Sequence, residues 1–218
     1  MTTYDEVFTR VLSGDLDTII QNRQGEWDRE EIFGKKDEAG RNVLAAASLL
    51  GRSAIVRELV SHGARVNEQT VRGYSSLHLA ACWGHVDTVR SLLELGANIQ
   101  ATTFRGERPV DLARKYSKTG CVDCLTLAEA KQDLMSYIVF IKDMVSHSER
   151  NLTNEEKNFC LRVCSTKSDW IQSFKNPTLW DFTAQRKDIE DSLQYILTKL
   201  SAQRKYYCHS CTALRFHS

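Results

Sequence analysis

Seven cysteines and six histidines are the reactive side chains of this chain, and their spacing decides what chemistry they could support. Cys208-His209-Ser210-Cys211, with His217 close behind, has the best zinc-ligand spacing, since two thiolates and an imidazole can share a tetrahedral ion. It stands in a short tail without other structural signals, so metal binding is not expected there. Cys121-x-x-Cys124 has redox or zinc spacing, but no second pair follows at ligand distance, and the two read as core thiols. Cys160 and Cys164 lie one helical turn apart and read the same way. No serine or cysteine carries a nucleophile motif, and no phosphate-binding or dinucleotide glycine pattern is present. Paired acids such as Asp15/Asp17 and Glu155/Glu156 fit solvated faces and helix starts. The expectation is a non-enzyme, with no catalytic residue, no metal and no cofactor.

The elements that must position these side chains repeat. Between Arg72 and Ile99 the chain reads RGYSSLHLAACWGHVDTVRSLLELGANI, and a shift of 33 residues backward returns much of it. Gly73 falls on Gly40, Leu77 on Leu44, Ala80 on Ala47 and Gly84 on Gly51. Val89 falls on Val56, Leu92 on Leu59, Gly96 on Gly63 and Ala97 on Ala64. The forward shift brings Gly106, Val110, Leu112, Ala113, Val122 and Leu125 onto the same marks. A fixed period of this size means stacked units, each burying its apolar face on its neighbours.

Composition narrows the class. The 29 basic and 28 acidic residues balance, so no overall charge draws the chain to nucleic acid or to a membrane. MTTYDEVFTRVLSGD lacks a basic stretch followed by an apolar run and does not read as a signal peptide. No apolar run reaches the ~18 residues of a membrane-spanning helix. An odd cysteine count spread over helices reads as reduced thiols in a cytoplasmic protein. Two prolines, Pro109 and Pro177, suit a mainly helical chain.

Ser75 to Ala81, Gly84-His85 and Gly96 to Asn98 together resemble the ankyrin repeat. That resemblance implies a turn, an inner helix, an outer helix and a loop per unit. The expected fold is all-α, an ankyrin-repeat solenoid over 1–133 followed by a small helical bundle. Repeats are placed at 38–70, 71–103 and 104–133, after a divergent cap at 1–36 in which GDLDTII echoes GHVDTV. Gly40, Gly73 and Gly106 mark the turn tips, where a positive backbone angle is wanted. Gly63 and Gly96 mark the ends of outer helices. Glu129 takes that place in the third repeat, so its outer helix should run on. In the ankyrin register His78 ties neighbouring turns together, and His85 belongs to the Gly-His loop.

From 134 to 200 the signal is amphipathic. Leu134, Ile138, Ile141 and Val145 form one stripe. Thr153 with Glu156 has the form of a capping box, opening a helix with Phe159, Cys160, Val163 and Cys164 inside. Ile189, Leu193, Ile196, Leu197 and Leu200 mark a last helix, and 201–218 reads as a disordered tail. Tyr137, Trp170 and the stretch Phe182 to Glu190 resemble the helical lid of the seventy-kilodalton heat-shock chaperones. The proline of that family's last helix is absent here, as are its nucleotide-binding and peptide-holding domains, so only the bundle shape carries over. An array followed by such a bundle, with RGY-x-x-LH-x-AA-WG and F-R-x-E-R at Phe104 to Arg108, resembles one particular group of ankyrin proteins. That resemblance implies cytoskeletal association, at the cleavage furrow and midbody or in cilia.

Ankyrin proteins bind partners through turn tips and the exposed side of inner helices. In this register the variable positions include Arg41, Leu49 and Leu50 in the first repeat, and Arg72, Tyr74 and Trp83 in the second. Phe104, Arg105 and Tyr116 follow in the third. Aromatics and arginine dominate interface energies, so these nine residues are expected to bind a protein partner, with Arg72 and Arg105 edging an apolar groove. A protein adaptor is thus expected, with no nucleic acid, membrane or small-molecule partner. Self-association through the bundle stays open, as does a role in regulating heat-shock chaperones or their clients.

Overall fold

The computed structural model describes residues 8–9, 11–15, 33–147 and 152–213, with side chains as far as 200. Among these the regular structure is helical, apart from one isolated bridge between Gln69 and Ser75. The chain divides into two units, 1–128 and 129–218.

In the first unit, α1 (Val43–Leu49), α3 (Ser76–Trp83) and α5 (Pro109–Lys115) are inner helices, and α2 (Ser53–Ser61) and α4 (Val86–Glu94) are outer ones. Helix α3 packs on both α1 and α5, and α2 packs on α4, so the units stack in sequence order. Ala46, Ala47, Ala80, Ala81 and Ala113 are all buried, and their small side chains let the inner helices approach. Leu44, Leu59, Leu77, Leu92 and Leu125 fill the space between the two rows, and Val11 of the cap joins the same core. Most of the cap lies outside the described residues.

The turns repeat atom for atom. The amide of each tip glycine donates to the carbonyl three residues earlier: Gly40 to Asp37, Gly73 to Thr70 and Gly106 to Thr103, each at 2.9 Å. Their φ angles are +75°, +81° and +74°, in the left-handed region that favours glycine. The residue that opens each turn closes it with its own side chain: Asp37 Oδ1 accepts from the Arg41 amide, Thr70 Oγ1 from Tyr74 and Thr103 Oγ1 from Glu107. Such local acceptors steer a chain into turns. Three glycine-tipped units therefore have one geometry.

A second set of loops follows the inner helices. Arg52, His85 and Lys118 each donate a backbone hydrogen bond to the carbonyl of Ala47, Ala80 and Ala113. Their side chains lie against the equivalent loop of the preceding unit, Arg52 at Gly14, His85 at Gly51 and Lys118 at Gly84. Gly14 has φ +80°, so the cap repeats this loop too.

Helix α6 (Thr119–Ser146) opens as the outer helix of the third repeat and runs unbroken past Glu129, as the missing glycine predicts. The division between units falls at 128, five residues before the expected boundary at 133. In the second unit Leu134, Ile138, Ile141 and Val145 are buried as a stripe. The capping box of α7 (Asn154–Ser173) is formed: Thr153 Oγ1 accepts from the Glu156 amide, and Glu156 Oε2 accepts from the Thr153 amide. Cys160 and Cys164 are buried, but Phe159 is exposed, a correction to the expected inner face. It sits one residue off the Cys160–Cys164 line and packs against the Arg162 guanidinium instead. Helix α8 (Leu179–Ala213) buries Phe182, Ile189, Leu193, Ile196 and Leu200. It continues to Ala213, so the segment expected to be a disordered tail from 201 is helical for most of its length. Trp170 stacks on Phe174 at 5.0 Å and meets Phe182 edge-on at 5.6 Å, joining α7 to α8.

Candidate partner-binding surface

Leu50, Trp83 and Tyr116 stand 33 residues apart, each at the residue that ends an inner helix. Leu50 is 36% exposed, Trp83 59% and Tyr116 50%, although large apolar side chains are usually buried. Because α1, α3 and α5 pack in order, these equivalent residues follow one another as rungs of one ladder. The turn tips carry a second apolar pair: Val71 and Phe104 also differ by 33, and Phe104 is 81% exposed. The Phe104 amide donates to the Arg72 carbonyl at 3.2 Å, which fixes adjacent tips side by side.

The structure distributes the nine expected residues unevenly. Leu50, Arg72, Trp83, Phe104, Arg105 and Tyr116 are exposed; Arg41, Leu49 and Tyr74 are half-buried. Tyr74 rests edge-on against the buried His78 ring, with centroids 6.0 Å apart, and so serves the fold as much as the surface. Arg41 is held by Asp37 at 2.7 Å. Lys115 is held by Glu107 at 2.7 Å and lies 5.9 Å over the Tyr116 ring. That hydrogen bond raises the pKa of Lys115, while the nearby Arg105 opposes the rise. Cys82 lies beneath this corner: burial pushes its thiol up, and Lys118 and Lys115 partly offset the effect. The spacing of Arg52, His85 and Lys118 also carried a signal for Lys118, which reading the loop histidine alone did not use.

The family profile "Ankyrin repeats (3 copies)" matches residues 12–103. The chain is 51% identical over 178 residues to ankyrin repeat domain-containing protein 45 of Danio rerio, covering 80% of each. It is 38% identical to the Homo sapiens protein of that name, over 78% of this chain and 65% of the other. Against the Mus musculus protein it is 35% identical, over 81% and 72%. The chain belongs to the ankyrin repeat domain-containing protein 45 family. The unit at 104–128 extends the array beyond the profile match, with the turn of Thr103 and Gly106 repeating those before it.

For a member of this family the array is a protein–protein interaction domain, and ankyrin proteins are generally non-enzymatic. Among the described residues no group of histidines, cysteines and acids could hold a metal ion, and no helix is long and apolar enough to cross a membrane. The side chains of Cys208, Cys211 and His217 lie outside the described residues.

Proposed function

We propose that the chain is a non-enzymatic adaptor whose array holds a protein partner on the surface of Leu50, Trp83, Phe104 and Tyr116, edged by Arg72 and Arg105. The observation that carries this reading is the exposure of the three-rung ladder at equivalent helix ends. Exposed aromatics of this size are the residues from which interface hot spots are built. The test is co-purification of partners from ciliated and dividing cells by full-length chain and by Trp83→Ala, with proximity labelling to place each complex. Partners recovered equally by both proteins would defeat the reading.

The family relationship supports a site of action on the cytoskeleton, at the cleavage furrow and midbody or in cilia, within the cytoplasm. The second unit supplies a second contact, to another protein or to a second copy of the chain. A second reading makes it a regulator of heat-shock chaperones or their clients. Its support is that Trp170 and Phe182, two marks of the lid resemblance, meet where α7 joins α8. Suppression of chaperone-driven client refolding by the full chain would favour this reading, and inertness would favour the adaptor.

A further inference from the structure

We infer that the partner segment seated on the ladder is acidic and carries bulky apolar side chains. This rests on the adaptor reading above and adds the chemistry of its ligand. The apolar half of the inference follows from Leu50, Trp83 and Tyr116, which offer three exposed rungs one repeat apart.

The acidic half follows from charge. Arg72 and Arg105 are also equivalent, 33 residues apart in the tip row, and both are exposed. Neither enters an ion pair among the described residues, whereas Arg41 and Lys115 are already held by Asp37 and Glu107. Lys118 adds a third cation against Gly84, next to Trp83. The exposed acid of the tip row is Glu38, in the first repeat. The second and third repeats thus present uncompensated positive charge on a chain whose net charge is only +1. Paired arginines leave little for a ligand, while unpaired ones beside exposed aromatics steer and select a segment of opposite charge. Carboxylates along the tips and apolar side chains between the rungs would satisfy both rows at once.

The experiment selects binders from a random-peptide display library on the immobilised full-length chain, then measures synthetic copies by fluorescence anisotropy. The expected binders are enriched in Asp, Glu and bulky apolar residues and weaken as salt rises. Trp83→Ala and the double variant Arg72→Glu/Arg105→Glu should each weaken them by about tenfold or more. A peptide with its acids exchanged for lysine should recover affinity for the double variant only. Circular dichroism of both variants should match the parent, because these side chains are exposed. Binders that need Trp83 but are neutral or basic would overturn the acidic assignment and leave the adaptor reading standing. Binders indifferent to Trp83, or no binder at all, would overturn both for a linear segment.

Discussion

His78 Nε2 lies 3.1 Å from the backbone oxygen of Glu107, a hydrogen bond that ties the second repeat to the third. The other ring nitrogen accepts from the Ser75 amide at 3.1 Å, so Nε2 carries the proton and the ring is neutral. Burial lowers the pKa of His78 below its ordinary value of 6.5, against the opposing effect of the carbonyls of Glu107 and Ala101. On acidification the unfolded chain therefore takes up the proton first, and stability falls as pH drops through the unfolded value. Thermal melts should show a lower midpoint at about pH 5.5 than at about pH 7.5, and His78→Gln should flatten that difference while costing stability throughout.

Ser117 occupies the position of Gly51 and Gly84, with φ +56° against their +72° and +85°. A left-handed conformation costs a residue with a side chain about 1 kcal/mol. Ser117→Gly is therefore expected to stabilise the array by up to about 1 kcal/mol, less the extra chain entropy of glycine. Gly84→Ala should act oppositely, because its Cβ would come within 2.8 Å of the Lys118 side chain. Urea midpoints of the two variants check both signs.

Trp83 and Leu77 belong to one helix and should respond in opposite ways. Leu77 is fully buried between rows, so Leu77→Ala should cost about 2–5 kcal/mol of folding stability. Trp83→Ala should change it by no more than about 0.5 kcal/mol, yet cost about 2 kcal/mol or more of partner affinity. Denaturant unfolding with binding measured on the same samples separates the two.

The described thiols differ in reach. Cys121 is buried with its thiol pushed up to about 11, chiefly by burial, and Cys160 and Cys164 are buried with raised values as well. Cys82 and Cys124 are half-buried. Alkylation followed by peptide mass mapping should modify Cys82 and Cys124 first, with Cys121, Cys160 and Cys164 reacting only on unfolding.

The array was legible because glycine marks a conformation rather than a preference. Gly40, Gly73 and Gly106 each announce a positive φ, and three such marks at one spacing fix the repeat. Asp37, Thr70 and Thr103 were harder to read, since a turn-closing acceptor can be any of several polar types and the three differ. Tyr74 was misweighed for a related reason: a variable position can still turn inward, and here the ring of His78 receives it. In the second unit a stripe such as Leu134 to Val145 reveals a buried face but not a helix end. Helix α8 outlasts its apolar stripe because backbone hydrogen bonding continues where sequence periodicity fades. The ladder of Leu50, Trp83 and Tyr116 was visible residue by residue, but its exposure was not, because bulk and hydrophobicity alone do not say which side of a helix meets solvent.

The tip glycines do not share one set of neighbours. A side chain at Gly40 would collide with Val71 and one at Gly73 with the backbone of Thr103 and Phe104, whereas Gly106 faces open space. Asparagine and aspartate tolerate positive φ better than other side chains, so evolution can rewrite position 106 with either. Positions 40 and 73 have no such licence, and across orthologues sequence drift in this row should begin at its last turn.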